Sequence, residues 1–393
     1  MLRFASYLGV FAGLVGGIFV ISLFDTAPTL PAPVAIALPD ASAPSVAPVE
    51  ASAVSASATS TQAAPTSQPI KVAPLKSGPS VIPAIPTPVA RTEPASAPTP
   101  PAPPPPLSGN ASLDASASVL RAALINIICQ APAGSSLRSM SGSGVFIDSK
   151  GVILTNAHVA QYFLLADRGV SCVIRSGSPA ADRYEAALIY ISPEWIRANP
   201  RVLSESLPNG TGEYDFALLA VTKSAPRNGS GQAAEDSLPG SFPFVPLATE
   251  PSLADTPVVI ASYGAQFLLA SQVQSALFPT VVFGSVKGVF TFAKNTIDVL
   301  ALGGSAAAQE GSSGGGIINA SGSLVGTITT STVTGATETR SLNAITASYI
   351  RSQYASETGK ALDLLLAEPT ATSISNFVSK VSELESIITA HLP

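Results

Sequence analysis

Charge is scarce in this chain. Only 11% of its 393 residues are Asp, Glu, Lys or Arg, and the formal net charge is −5. The 20 basic residues are spread thinly, which excludes the clustered Lys and Arg that displace counterions from nucleic-acid phosphates. Two cysteines and two histidines exclude most structural zinc sites, which need four such ligands at short spacing. Aromatics make up 6% of the chain and none occurs between Phe24 and Phe146, so a long N-terminal stretch has nothing bulky to fold around. Proline is plentiful but segregated, with 21 of 35 between Pro28 and Pro106.

Before that stretch, Ala5–Phe24 is an uncharged apolar run of 20 residues between Arg3 and Asp25. As a helix it is about 30 Å long, the thickness of a bilayer core. Residues 1–25 are therefore expected to form a signal anchor with its N-terminus inside. A cleaved signal peptide and a buried core helix are the alternatives, though Thr26-Ala27-Pro28 is a poor cleavage site. The expected partner of this helix is the membrane, with the rest of the chain extracytoplasmic. Residues 26–112 read as a disordered Pro/Ala/Ser-rich linker, locally polyproline II, because proline fixes φ and removes backbone donors.

The pattern then changes. Short apolar runs between Gly, Ser, Asn and Asp turns predict strands at Ala123–Cys129, Gly144–Ile147, Val152–Thr155, Ser171–Ile174, Glu185–Ile191 and Phe216–Val221. Further strands are predicted at Pro257–Ser262, Val281–Phe290, Ile317–Asn319, Leu324–Thr330 and Ser341–Ile345. So many short strands without alternating helices indicate an all-β fold. Ser192–Gly212 and Lys223–Gly240 are read as long loops at the rims. Residues 346–393 have helical spacing in two segments, Thr346–Ala367 and Ser373–His391, the second capped by Ser373 or Ser375. Its apolar face would comprise Phe377, Val378, Val381, Leu384, Ile387 and Ile388, packed on its own domain or against another copy of the chain in a homo-oligomer.

Three motifs carry chemistry. His158 ends GVILTNAHVA, Asp215 precedes an apolar run in EYDFALLAV, and Ser313 sits in QEGSSGGGII. Singly, each reads equally well as a satisfied histidine, a turn aspartate and a loop serine. Together they supply what a serine nucleophile requires: an imidazole to take its proton, a carboxylate to hold that imidazole, and a glycine-dense turn whose N–H groups can face a developing oxyanion. GSSGGG lacks the Lys of a phosphate-binding loop, and this chemistry calls for no metal or organic cofactor.

In the order His, Asp, Ser, the motifs TNAHV, YDFALL and GSSGG resemble the trypsin-like, chymotrypsin-fold serine peptidases, and among them the HtrA/Deg-type branch. SGSGVFID (Ser141–Asp148) and DTPVVIASYGA (Asp255–Ala265) add to the likeness. The resemblance implies two six-stranded antiparallel β-barrels within a peptidase domain over 113–350, the first at about 119–222 and the second at about 243–345. It implies polypeptide substrates, with His158 as general base, Asp215 as its orienting carboxylate and Ser313 as nucleophile. The Gly311 and Ser313 N–H groups would form the oxyanion hole. Ala307, with Val325, Gly326 and Thr327, would line a substrate pocket for small or medium apolar side chains. Cys129 and Cys172 fall on strands that neighbour each other in this family, compatible with a disulfide or with two free thiols. Ser312 stands where trypsins carry the Asp that pairs with a freed N-terminus, and Gly316 where a Pro is common. The residues after the last strand are too few for a PDZ domain. A catalytically inactive or chaperone-like binding module on the same fold is the alternative.

Overall fold

The computed structural model describes residues 109–392 except 206–209, 227–236, 293–294, 332–335 and 337–338. The apolar run Ala5–Phe24 lies outside the described residues; among those described, no helix is long and apolar enough to cross a membrane.

The described chain opens with a helix, α1 (Gly109–Ala123), which starts inside the segment expected to be linker. Its buried stripe is Ser116, Leu120 and Ala123, with Leu113 and Ala117 packed alongside. These positions repeat every three or four residues and mark one helix face. The stripe is built largely of Ala and Ser, so it carries little hydropathy for a sequence reading to detect.

Six strands follow: β1 (Leu124–Gln130), β2 (Met140–Asp148), β3 (Val152–Thr155), β4 (Ser171–Ser176), β5 (Ala181–Ile191) and β6 (Ala217–Ser224). They close into an antiparallel barrel in the order β1-β2-β3-β6-β5-β4. Closure leaves no unpaired edge, and Ile125, Ile127, Ile153, Ile174 and Leu219, which the strand registers place on one face of the sheet, are all fully buried. Cys129 and Cys172 are directly opposed in the β1–β4 register and joined as a disulfide. The first rim segment is not all loop; it contains a short helix, α2 (Pro193–Ala198), capped by Ser192 Oγ accepting from Trp195 N. Much of the second rim segment lies outside the described residues.

The second sheet contains β7 (Pro257–Ser262), β8 (Thr280–Ser285), β9 (Gly288–Phe290), β10 (Val299–Ala301), β11 (Gly316–Asn319), β12 (Leu324–Ser331) and β13 (Leu342–Thr346). Its order is β8-β7-β11-β12-β13-β10-β9. This is a seven-stranded half-barrel where six strands were expected, for two reasons. The predicted strand Val281–Phe290 is divided at Val286–Lys287, where the chain changes partners. Val286 N donates to Thr256 O on the β7 side at 3.0 Å, and Lys287 N to Ala301 O of β10 at 2.7 Å. The two end strands of the sheet are thus consecutive pieces of one run, which curls the sheet back on itself. The other reason is β10, whose three residues are too short to stand out in the sequence.

Three helices end the chain: α3 (Ala347–Thr358), α4 (Leu362–Ala367) and α5 (Thr370–Thr389). Gly359, left-handed at φ 71°, stops α3 where a single longer helix was expected. Helix α5 begins after Pro369, and Ser373 is a buried residue of its first turns and not its cap. Phe377, Leu384 and Ile388 are buried and Val381 and Ile387 are packed against the core, whereas Val378, expected on the same face, is exposed. That face lies against β5, α2 and the 3-10 turn Gln161–Arg168 of its own chain.

Candidate active site

Strand register brings the first two motif residues together. In the antiparallel pair β3–β6, Thr155 at the end of one strand is opposite Ala217 at the start of the other. Residues just after β3 and just before β6 are therefore neighbours. His158 Nδ1 lies 2.7 Å from Asp215 Oδ2, and the His158 backbone N donates to Asp215 Oδ1 at 3.0 Å. The Asp215 side chain is 6% exposed and that of His158 27%. With Nδ1 committed to the carboxylate, Nε2 is the ring nitrogen left to meet a reacting group.

Burial is the largest influence on the His158 pKa and disfavours the imidazolium, but the Asp215 charge and hydrogen bond together outweigh it. The pKa ends above its ordinary 6.5, so the ring is a better proton acceptor than a free histidine.

Asp215 is braced on several sides. Asn156 Nδ2 donates to its backbone oxygen at 2.8 Å. The preceding residue, Tyr214, has φ 59°, an uncommon conformation for a residue with a bulky side chain. Tyr349 of α3 accepts from Tyr214 N at 3.1 Å. The third side-chain donor to Asp215, absent from the sequence reading in this role, is Thr329, whose Oγ1 donates to Oδ2 at 2.7 Å. In the β12–β13 register, Ile328 is opposite Ala344 and Thr330 opposite Asn343. Thr329 is the extra residue of a bulge, a device that re-aims a side chain out of the strand's alternation. Only a glycine fits at 212, where φ is 86° and a Cβ would meet Thr329 Cγ2 at 2.8 Å.

The turn bearing Ser313 is fixed against the first barrel. Ser143 N of β2 donates to Ser313 O at 2.7 Å, and any Cβ on Gly314 (φ 85°) would run into Ser143 O and Thr155 Oγ1. Thr155 is three residues before His158, so the turn sits against the strand that delivers the imidazole. Ser313 is half-buried, while Ser312 is buried and accepts from Ser262 Oγ at 3.1 Å. Of the two serines, Ser313 is the one a substrate can reach. Among the described residues no hydrogen bond joins Ser313 Oγ to the His158 ring. In substrate-free enzymes such contacts are often long and tighten only in the Michaelis complex.

Peptide planarity fixes where the N–H groups of this turn face. Glu310 O accepts from Ala265 N at 2.8 Å, and Ser312 O accepts from Gly315 N at 2.9 Å. In a trans peptide the N–H points away from the carbonyl. The Gly311 and Ser313 N–H groups are therefore turned away from these anchors. Gly311 has φ 88°, and a Cβ there would meet Tyr263 O at 2.8 Å.

The four residues expected to line a substrate pocket are all buried. Ala307 and Val325 belong to the core of the second half-barrel. Thr327 is fully buried, its hydroxyl donating to Gly315 O at 3.1 Å. Gly326 is buried, and a Cβ on it would meet Ile345 O at 2.7 Å. Strand β12 thus supports the nucleophile turn from behind, Ile328 O accepting from Gly314 N at 2.9 Å and Ile328 N donating to Gly315 O at 2.8 Å, and meets the His158–Asp215 pair at its bulge.

Residues 142–326 match the family model described as the trypsin-like peptidase domain. No curated protein matches the chain. Among solved structures, the active form of the Rv3671c protease from M. tuberculosis is 20% identical over 68% of this chain and 95% of that one, at a TM-score of 0.38. The inactive form of the Rv3671c protease is 18% identical over 63% and 96%, again with a TM-score of 0.38.

Proposed function

We propose that the chain is a serine endopeptidase in which Ser313, His158 and Asp215 form the catalytic triad, a reading supported by the match of residues 142–326 to the trypsin-like peptidase domain. The observation that carries this reading is the His158–Asp215 pair at 2.7 Å, beside a turn whose half-buried serine is pinned to the same barrel. Ser313 Oγ attacks the scissile carbonyl carbon and its proton passes to His158 Nε2. The carbonyl oxygen becomes an oxyanion facing the Gly311 and Ser313 N–H groups. As the C–N bond breaks, the imidazolium returns its proton to the leaving amine and an acyl-enzyme remains. Water, deprotonated by the same ring, then attacks the ester, and the proton goes back to Ser313 as the C–O bond breaks. Asp215 keeps Nδ1–H oriented throughout and stabilises the imidazolium.

The substrates are polypeptides. The finer reading is an HtrA-like enzyme, anchored in the membrane by Ala5–Phe24 and active outside the cytoplasm in envelope protein processing or quality control. The Cys129–Cys172 disulfide supports that compartment, since disulfides persist where the surroundings are oxidising. Hydrolysis of fluorescent casein by wild type but not by Ser313→Ala, with both proteins folded, is the expected result. Equal hydrolysis by both would remove Ser313 from the mechanism.

A second reading is a binding module on the same fold, to which Gly316, standing where a Pro is common in the family it resembles, lends support. It requires that protein substrates bind and are released uncut.

A further inference from the structure

Four consecutive carbonyls, from Glu310 to Ser313, shape the turn that faces the reacting carbonyl. Two are held from within the second half-barrel, by Ala265 N and Gly315 N. The other two are held by a single residue of the first barrel. Ser143 Oγ donates to Gly311 O at 2.8 Å and Ser143 N donates to Ser313 O at 2.7 Å. The same hydroxyl accepts from Tyr263 N at 2.9 Å. Ser143 is fully buried, so no water can take over these bonds without opening the junction.

Local sequence explains how a strand residue reaches so far. Ser143 is flanked by Gly142 and Gly144, where a Cβ would meet Val159 Cγ2 at 2.9 Å and Ile125 Cδ1 at 2.8 Å. Both glycines point to the face of β2 opposite Ser143, and their lack of a Cβ lets that face lie close against the helical turn of His158 and the side chain of Ile125. Thr155 Oγ1 completes the set by donating to Ser143 O at 2.7 Å. Each polar group of Ser143 is therefore used, and each bond reaches either the nucleophile turn, the loop beneath it or the strand before His158.

We infer that Ser143 is a positioning residue for the peptidase reaction. Its hydroxyl holds the Gly311–Ser312 peptide and the Tyr263–Ala265 loop in the arrangement that aims the Gly311 and Ser313 N–H groups at the oxyanion. Trypsins set this turn through an Asp before the nucleophile; here that position is Ser312, and a neutral buried hydroxyl from the other barrel does the work. The oxyanion donors are thus aligned only while the two barrels are docked. This rests on the proposed peptidase function.

The test compares Ser143→Ala with Ser262→Ala, which removes another fully buried hydroxyl of the same junction but none that holds a turn carbonyl. The second-order rate constant for labelling by a fluorophosphonate probe is read well below the unfolding temperature, as a function of pH. Ser143→Ala is expected to label about 10-fold more slowly, below the 10²–10³ range for outright loss of an oxyanion donor. The pH at half-maximal rate should not move, because the His158–Asp215 pair is untouched. Ser262→Ala should label within about 2-fold of wild type, by the same reasoning. Equal rates for Ser143→Ala and wild type, or equal losses in both variants, overturn the inference. If Ser143→Ala does not fold, Ser143→Cys keeps the volume with a weaker donor: an intermediate rate supports the role and a wild-type rate overturns it. Absence of labelling in wild type is a failure of the peptidase reading instead. The Gly311 and Ser313 amide chemical shifts then decide the matter: displaced in the Ser143 variant if it sets the turn, unchanged if it does not.

Discussion

Thr329 Oγ1 and His158 Nδ1 converge on one oxygen, Asp215 Oδ2, each at 2.7 Å. The carboxylate is nearly excluded from solvent, so protein donors replace the water it has lost, and the hydroxyl comes from a bulge in the opposite half of the molecule. Thr329→Val keeps the shape and removes the donor. It should cost about 1–3 kcal/mol of stability, the usual penalty for depriving a buried charged group of a hydrogen bond. Urea unfolding gives the first number and the peptide hydrolysis rate, expected to drop several-fold, provides the functional counterpart. Wild-type values for both would mean that Asp215 does not depend on this hydroxyl.

Asp215→Asn should retain the fold and lose activity. An amide favours the wrong tautomer of the ring and cannot stabilise the imidazolium, and in the best-studied enzyme of this kind the same change lowers kcat by about 10⁴. Circular dichroism and a hydrolysis assay on one preparation check both halves of the prediction.

The raised His158 pKa gives opposite pH dependences for activity and stability. The reaction needs the neutral ring, so kcat/KM should climb with pH through an apparent pKa above the ordinary 6.5. Stability behaves the other way. A histidine whose folded pKa exceeds its unfolded value contributes fully below the unfolded pKa, and the contribution is lost as pH rises through the folded one. In Asp215→Asn, burial acts without its counterweight and the ring should titrate below 6.5, as NMR of the ring protons would report. A wild-type ring titrating below that value contradicts the assignment.

The Cys129–Cys172 bond closes a loop between strands already paired in register, with a sequence separation of 43. Reduction, or the double change to Ser, should lower stability by about 2–4 kcal/mol through the freed unfolded chain. Urea midpoints with and without reductant measure it, and identical midpoints would mean that the bond contributes nothing to the fold.

The legible parts of the site were those where chemistry restricts residue choice. TNAHV and YDFALL hold the His158 and Asp215 that the structure pairs at 2.7 Å, and the apolar runs predicted Val152–Thr155 and Pro257–Ser262 with the boundaries observed. The parts that escaped depend on geometry between distant segments. Thr329 looks like any strand threonine until a bulge turns it towards Asp215. Tyr349 looks like one more aromatic of a helix until its hydroxyl reaches Tyr214 N. The pocket residues came from the family resemblance, and nothing in the sequence tells that all four are buried. Helix α1 escaped because its buried face is made of small side chains.

The most direct measurement is peptide mapping of the protein after reaction with a fluorophosphonate. A single adduct on Ser313, absent from Ser313→Ala and strongly reduced in Asp215→Asn, is the expected result. An adduct on Ser312, or none on a folded protein that reacts with no other acylating probe, would contradict it.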